Sequence, residues 1–167
     1  MAISYDLEIA TSSSLEQVAR ALLDVARPLE LFEDSVTPEQ VVRDGAATAL
    51  RTWVRVYERS SAPWSPLVTD FGITPTVAIG FSIYKHDRIP EQQDDLVRLS
   101  AGLLAGIAGD AMLSGLDTIW LMRRGDQLIV NERDDIWSEH RLAALPQPYR
   151  HEVLAFSEGA SPAPTVD

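Results

Sequence analysis

The residues of this chain best equipped for chemistry are gathered in one stretch, Glu132-Arg133-Asp134-Asp135-Ile136-Trp137-Ser138-Glu139-His140. Carboxylates beside an imidazole can ligate a hard metal ion or pass protons as acid and base. Two-metal enzymes, however, draw their carboxylates from several rigid elements, because both ions must be held about 4 Å apart. Here the acids crowd one loop-like segment, which reads as a solvated acidic edge. His86, His140 and His151 are scattered, with no i, i+4 pair of the kind a helical metal site needs. No G-x-S-x-G elbow occurs, and Gly102, Gly106 and Gly109 fit neither a P-loop nor a dinucleotide fingerprint. The absence of cysteine excludes disulfides, thiolate metal sites and cysteine nucleophiles, and fits a reducing cytosol. No catalytic residue, metal site or cofactor is therefore expected.

Recognition is better served. Twenty-five acidic against fourteen basic residues give a formal charge of −11. Such a balance repels phosphate backbones, which argues against a nucleic-acid partner, and serves either solubility alone or a cationic partner. Trp64, between Pro63 and Pro66, and Trp137, after Asp134-Asp135-Ile136, fall in loop patterns. Each either caps the core or stands partly exposed as an anchor; an aromatic ringed by acid suits a basic partner. The candidate partner-binding residues are thus Glu132, Asp134, Asp135, Trp137 and Glu139, with Trp64 the next place to look. Trp53 and Trp120 lie in strand patterns and are expected in the core. Arg124-Gly125-Asp126 spells an adhesion tripeptide, but its position between two strands explains it as a hairpin turn.

The elements that must carry these residues follow from periodicity. Ile3 to Thr11 alternates Ile3, Tyr5, Leu7 and Ile9 with polar residues, a half-buried strand. Ser13 with Glu16, or Ser14 with Gln17, has capping-box spacing for a helix carrying Leu15, Val18, Ala19, Leu22 and Ala26, ended by Pro28. Thr37-Pro38-Glu39-Gln40 opens a second, short helix that Gly45 can stop. Ala49 to Arg59 reads as a strand with Trp53 and Tyr57 opposite Val54 and Val56, and Pro63 to Pro66 as a loop. From Val77 the large residues Val77, Ile79, Phe81 and Ile83 alternate with Ala78, Gly80 and Ser82, so one face is apolar and the other small. Pro90 to Ile107 is the strongest helix, with Glu91, Asp94 and Asp95 at its start, where the helix dipole favours acid. Strands at about Ala111 to Gly115, Thr118 to Arg124 and Gln127 to Glu132 follow, the last two joined by Gly125-Asp126. Beyond Arg133 the pattern is irregular. The expected fold is α+β: a mostly antiparallel sheet of five to six strands with two main helices on one face, in split βαβ order plus a hairpin extension. Residues 1–157 should form a single domain, with residues 158–167 a frayed tail. The amino terminus has no basic and apolar signal pattern, and Leu99 to Ala108 is too short to span a bilayer; a cytoplasmic protein off the membrane is expected.

Several of these segments together resemble the immunity proteins of the Sit toxin system, the swarm-inhibition toxins exchanged between kin bacteria. They are Ser4-Tyr5-Asp6-Leu7-Glu8, Gly72-Ile73-Thr74-Pro75-Thr76-Val77, the Phe81 strand and the acid-led helix from Glu91. Gly109-Asp110-Ala111, Trp120-Leu121-Met122-Arg123-Arg124-Gly125 and Pro148-Tyr149 complete a likeness running from about Ile3 to Phe156. The resemblance implies a cytoplasmic, non-enzymatic protein that binds and neutralises a cognate toxin domain by occlusion. It brings no fixed toxin-binding motif. Nuclease-type toxins bind phosphates and tend to be cationic, which the acidic surface would complement. The rival readings are a general interaction or scaffold module and, further off, a small metal-dependent hydrolase using the Asp134–His140 cluster.

Overall fold

The computed structural model describes residues 3–157. In chain order the elements are β1 (Ile3–Ile9), α1 (Leu15–Ala26), α2 (Pro38–Arg43), β2 (Ala46–Ala47), β3 (Trp53–Glu58), α3 (Pro66–Phe71) and β4 (Val77–Ile83). There follow α4 (Ile89–Gly106), β5 (Ala111–Gly115), β6 (Thr118–Arg124), β7 (Gln127–Asn131), α5 (Glu139–Leu142) and β8 (Tyr149–Glu152). The strands form one sheet in the order β2-β3-β4-β1-β5-β6-β7-β8. All neighbours are antiparallel except β7 and β8.

The inner run β3-β4-β1-β5, with α1 after β1 and α4 after β4, is the split βαβ arrangement. The expected count of five to six strands is corrected to eight among the described residues. β2 has two residues and β8 four, too short for a period of two to show. α3 follows the loop expected over Pro63 to Pro66 and has no counterpart among the expected elements; Pro66 sits in its first turn, where a missing N–H costs nothing, and Gly72 ends it in the left-handed region. α5 and β8 lie in the stretch that had looked irregular. β3 begins at Trp53 rather than Ala49 because Thr48 and Thr52 close a turn: Thr48 N–H donates to Thr52 O at 2.8 Å, and Thr52 N–H to Thr48 Oγ1 at 3.1 Å. Residues 158–167, expected to be a tail, lie outside the described residues.

Local capping chemistry sets the helices. Ser14 and Gln17 make the reciprocal box, Gln17 N–H donating to Ser14 Oγ at 3.1 Å and Ser14 N–H to Gln17 Oε1 at 2.8 Å. Thr37 caps α2 with Pro38 beside it, and Gly45, at φ +86°, donates back to Gln40 O. At the other end of α4, Arg123 of β6 supplies what the helix lacks: its guanidinium donates to the carbonyls of Leu104, Ile107 and Gly109. The last carbonyls of α4 are thereby satisfied by a strand beneath it.

α1 and α4 cover one face of the sheet. Leu7, Ile9, Val54, Val56, Ile79, Phe81 and Leu113 meet Val18, Leu22, Leu96, Leu99 and Leu103 there, all essentially inaccessible to water. A bulge in β6 enlarges this core. The register runs Leu113 to Leu121 and then Ser114 to Ile119, so Trp120 is an extra residue. Trp120 and Leu121 therefore both join the helix side, with the Trp120 ring edge-on to Tyr5 at 5.1 Å. The opposite face carries a smaller cluster, in which Leu67 of α3 and Leu154 pack on Met112, Ile119, Met122 and Ile129.

Phe81 is buried on the helix side, while Ser82 is half-exposed on the other. Phe81→Ala should lower stability by about 3–5 kcal/mol, and Ser82→Ala should be nearly neutral. Denaturant midpoints check this; equal effects would mean the faces are misassigned.

Candidate functional site

The acidic stretch occupies the connection from β7 to α5. Glu132, Asp134, Asp135 and Glu139 are exposed, as expected for a solvated edge. Asp135 is held by both arms of Arg133, Nε at 2.8 Å and a terminal nitrogen at 2.6 Å, and this bond keeps its carboxyl below the usual range. Of the two readings of Trp137, the one in which it caps the core holds, which removes it from the candidate partner surface. Ile136 N–H and Trp137 N–H both donate to Arg133 O, and the tight turn drives the two side chains inward. Trp137 is 6% exposed, its indole N–H donates to Trp120 O at 3.0 Å, and its ring meets that of Trp120 edge-on at 6.1 Å. The bulge that turns Trp120 toward the helices creates this niche. Arg141 closes it: its guanidinium lies 5.3 Å over the Trp120 ring, with Nε donating to Asp94 Oδ1 at 2.8 Å and a terminal nitrogen to Ile136 O at 2.9 Å. The structure thus brings the four acids to one edge and takes the tryptophan away from them.

Two other tryptophans are exposed. Trp64 is 79% exposed just before α3, so the exposed one of its two readings holds. Trp53, expected in the core, is 45% exposed. Odd positions of β3 face away from α1 and α4, and α3 with the C-terminal segment covers that second face only over β5 to β7.

What remains uncovered over β3, β4 and β1 is a built surface. The register aligns Trp53 with Ser82 and Ser4, Arg55 with Gly80 and Asp6, and Tyr57 with Ala78 and Glu8. The small residues of β4 form a floor that larger neighbours cross. Tyr57 leans over Gly80, where an added Cβ would press on its ring at 3.3 Å, and its hydroxyl donates to Asp6 Oδ1 at 2.8 Å. Arg59 Nε donates to Glu8 Oε2 at 2.8 Å, and another of its nitrogens reaches the Tyr57 hydroxyl at 3.4 Å. Burial, reinforced by the bond to Asp6, pushes the Tyr57 phenol up to about 12. Burial also pushes the Glu8 carboxyl up, against the pull of Arg59. Sequence reasoning missed Asp6, Tyr57 and Arg59 as site residues. The signal was there in the small face of β4, but only the strand order shows what faces it.

Among the described residues no group of three or more His, Asp or Glu side chains is placed to hold a metal ion. No helix among them is long and apolar enough to cross a membrane.

The fold is that of an α+β protein in split βαβ order, its sheet backed by helices on one face and half open on the other. The chain belongs to the SitI3-like family, whose model matches residues 3–141, in keeping with the Sit-type immunity proteins that its motifs resemble. No curated protein and no solved structure matches the chain.

Two outcomes test this geometry. The raised phenol means that the folded chain holds the Tyr57 proton more tightly than the unfolded chain. The stability it contributes is present below its ordinary value of 10.0 and lost as pH rises toward about 12. Phenolate absorbance should show a component that titrates late, toward about 12, and that Tyr57→Phe removes; a late component unchanged in Tyr57→Phe, or none at all, would mean that Tyr57 is not buried against Asp6 in solution. Separately, Trp137→Ala should cost about 3–5 kcal/mol in thermal or denaturant unfolding, because it empties a packed niche. Asp134→Ala should stay within about 0.5 kcal/mol. Similar losses for both would contradict the inward placement of Trp137.

Proposed function

We propose that the protein is an immunity protein that binds a cognate toxin domain and neutralises it by occluding its working surface, without turnover. Membership of the SitI3-like family over residues 3–141 is the observation that carries this reading. The charge of −11 favours a basic toxin and would speed the encounter with it. The acidic edge of Glu132, Asp134, Asp135 and Glu139 supplies steering charge of this kind, because all four acids face solvent. Its lone interlocked carboxylate, Asp135, is engaged by Arg133 and held ionised at neutral pH, which suits a charged rim better than a proton-transfer group. Trp137 no longer serves as the anchor, being inside the core; Trp64 and Trp53 are the aromatic side chains that offer surface to a partner.

Co-expression with a candidate toxin domain should restore the growth that the toxin arrests, and the two chains should co-elute as a complex. Persisting growth arrest with no complex would overturn the reading. In that complex Asp134→Lys with Asp135→Lys should slow association and flatten its dependence on salt, leaving the fold intact, because exposed charges act chiefly on the encounter. Unchanged association kinetics would move the steering surface away from this edge.

A further inference from the structure

We propose that the depression on the open sheet face between Trp53 and Tyr57 receives one arginine side chain of the partner protein, with Asp6 at its base. The identity of that partner as the toxin rests on the immunity reading; the chemistry of the depression does not. It measures about 440 Å³ and is lined by Ser4, Asp6, Trp53, Tyr57, Gly80 and Ser82, with the Arg55 stem along one side. Serine and glycine leave the floor low, and the two aromatic rings of β3 rise beside it.

Charge selects the occupant. Across the rows of this face two carboxylates, Asp6 and Glu8, meet two guanidiniums, those of Arg59 and Arg55. Arg59 is committed to Glu8 at 2.8 Å, and Asp6 receives only a neutral phenol at Oδ1. The other cation at hand, Arg55, points its Nε at Val42 O of α2, 3.3 Å away, and so is drawn off toward the sheet edge. Asp6 therefore has no cation bonded to it directly, with Arg59 acting on it from across Tyr57, and in this half-buried setting an incoming positive charge gains more than it would in open water. The shape favours arginine over lysine. A planar guanidinium can stack on an indole that is 45% exposed while it donates to a carboxylate. The indole of Trp53 packs closely over Gly45, where an added Cβ would meet its nitrogen at 2.5 Å. An exposed tryptophan beside a carboxylate with no cation bonded to it is the composition of an interface anchor point.

The test has two arms. In the first, the isotope-labelled chain is titrated with an acetylated Gly-Arg-Gly amide and with its citrulline counterpart, which keeps the shape and removes the charge. The arginine peptide should shift the Trp53 indole and Gly80 amide resonances saturably, and the citrulline peptide should not. Asp6→Asn, which keeps an acceptor for Tyr57 and so preserves the fold, should weaken the arginine peptide roughly tenfold, the effect of losing one charge-assisted bond. Asp24→Asn on α1 should change nothing. No arginine-dependent shift at Trp53 and Gly80, or an unaltered affinity in Asp6→Asn, would overturn the proposal. In the second arm the toxin domain identified by co-expression replaces the peptide, and Asp6→Asn and Trp53→Ala should each weaken the complex about tenfold or more. Toxin bound equally well by both variants would overturn the pocket while leaving the immunity reading standing. Toxin that fails to bind the parent chain would sink the immunity reading, and the peptide arm would then decide the pocket by itself.

Discussion

β1 is hydrogen-bonded on both sides, to β4 along its whole length and to β5 from Tyr5 onward, and its side chains alternate between two very different environments. A slip of one residue would send Leu7 and Ile9 to the open face and bring Asp6 and Glu8 beneath α1 and α4. Burying those two carboxylates without partners would cost several kcal/mol, so the register has a large penalty on one side only. Everything functional in the structure inherits that choice. The same register that puts Leu7 against the helices puts Asp6 beneath Tyr57 and Glu8 beside Arg59, across a floor made of Ala78, Gly80 and Ser82. Core and candidate surface are two sides of one constraint.

The helix layer is fastened to that sheet by polar groups as well as by apolar burial. Gln92, fully buried near the start of α4, accepts from Thr52 Oγ1 and Tyr84 N–H at 2.8 Å each and donates to the carbonyls of Tyr84 and Asp87. Arg123 does the corresponding work at the far end of the helix. Burial lowers the affinity of Arg123 for its proton, yet guanidinium remains charged in any protein, and the partial negative charge of the helix end is a fitting neighbour for it. Asn131 plays a similar part where β7 ends, exchanging bonds with Leu154 and donating to Ile119 O. With both ends of α4 and the end of β7 tied by the side chains of Gln92, Arg123 and Asn131, the loop from Glu132 to Glu139 starts from a hydrogen-bonded base.

The long periodic segments were legible in the sequence, and so were their faces. Ile3–Ile9, Val77–Ile83, Ile89–Gly106 and the hairpin at Gly125 stand where their spacing put them, because each buries enough apolar surface to make its own period visible. The misses share a cause. β2 and β8 exist only because a neighbouring strand offers them hydrogen bonds, and α3 because the second face needs cover; nothing in a run of two to six residues announces such a neighbour. The tryptophans make the same point from the side chain. Trp53 looked like core because it sits in a strand, and it is exposed because no helix covers its face. Trp137, among acids in a loop pattern, reads either way, and it is buried because a bulge four strands away from Trp53 opened a niche for it. Strand order decides both, and strand order is a long-range property.

Why half of the second face is open can be read from its residues. Over β5 to β7 that face presents Met112, Met122 and Ile129, which cannot be left to water, and α3 with Leu154 covers them. Over β4 and β1 it presents serine, glycine, alanine and two ionised groups, which can. Covering them would strip the remaining water from Asp6, beside a Glu8 already buried against Arg59. The open side also lies at the sheet end from which the acidic loop springs, since Trp53 begins β3 where Asn131 ends β7. Five strand steps of about 4.8 Å separate β3 from β7, roughly 24 Å. An interface burying about 800 Å² on each side is some 30 Å across, so one partner of ordinary size can touch both. A steering edge of exposed acids at one corner and a pocket for a single cation at the other would then divide the work, the first acting on the rate of encounter and the second on how long the complex lasts.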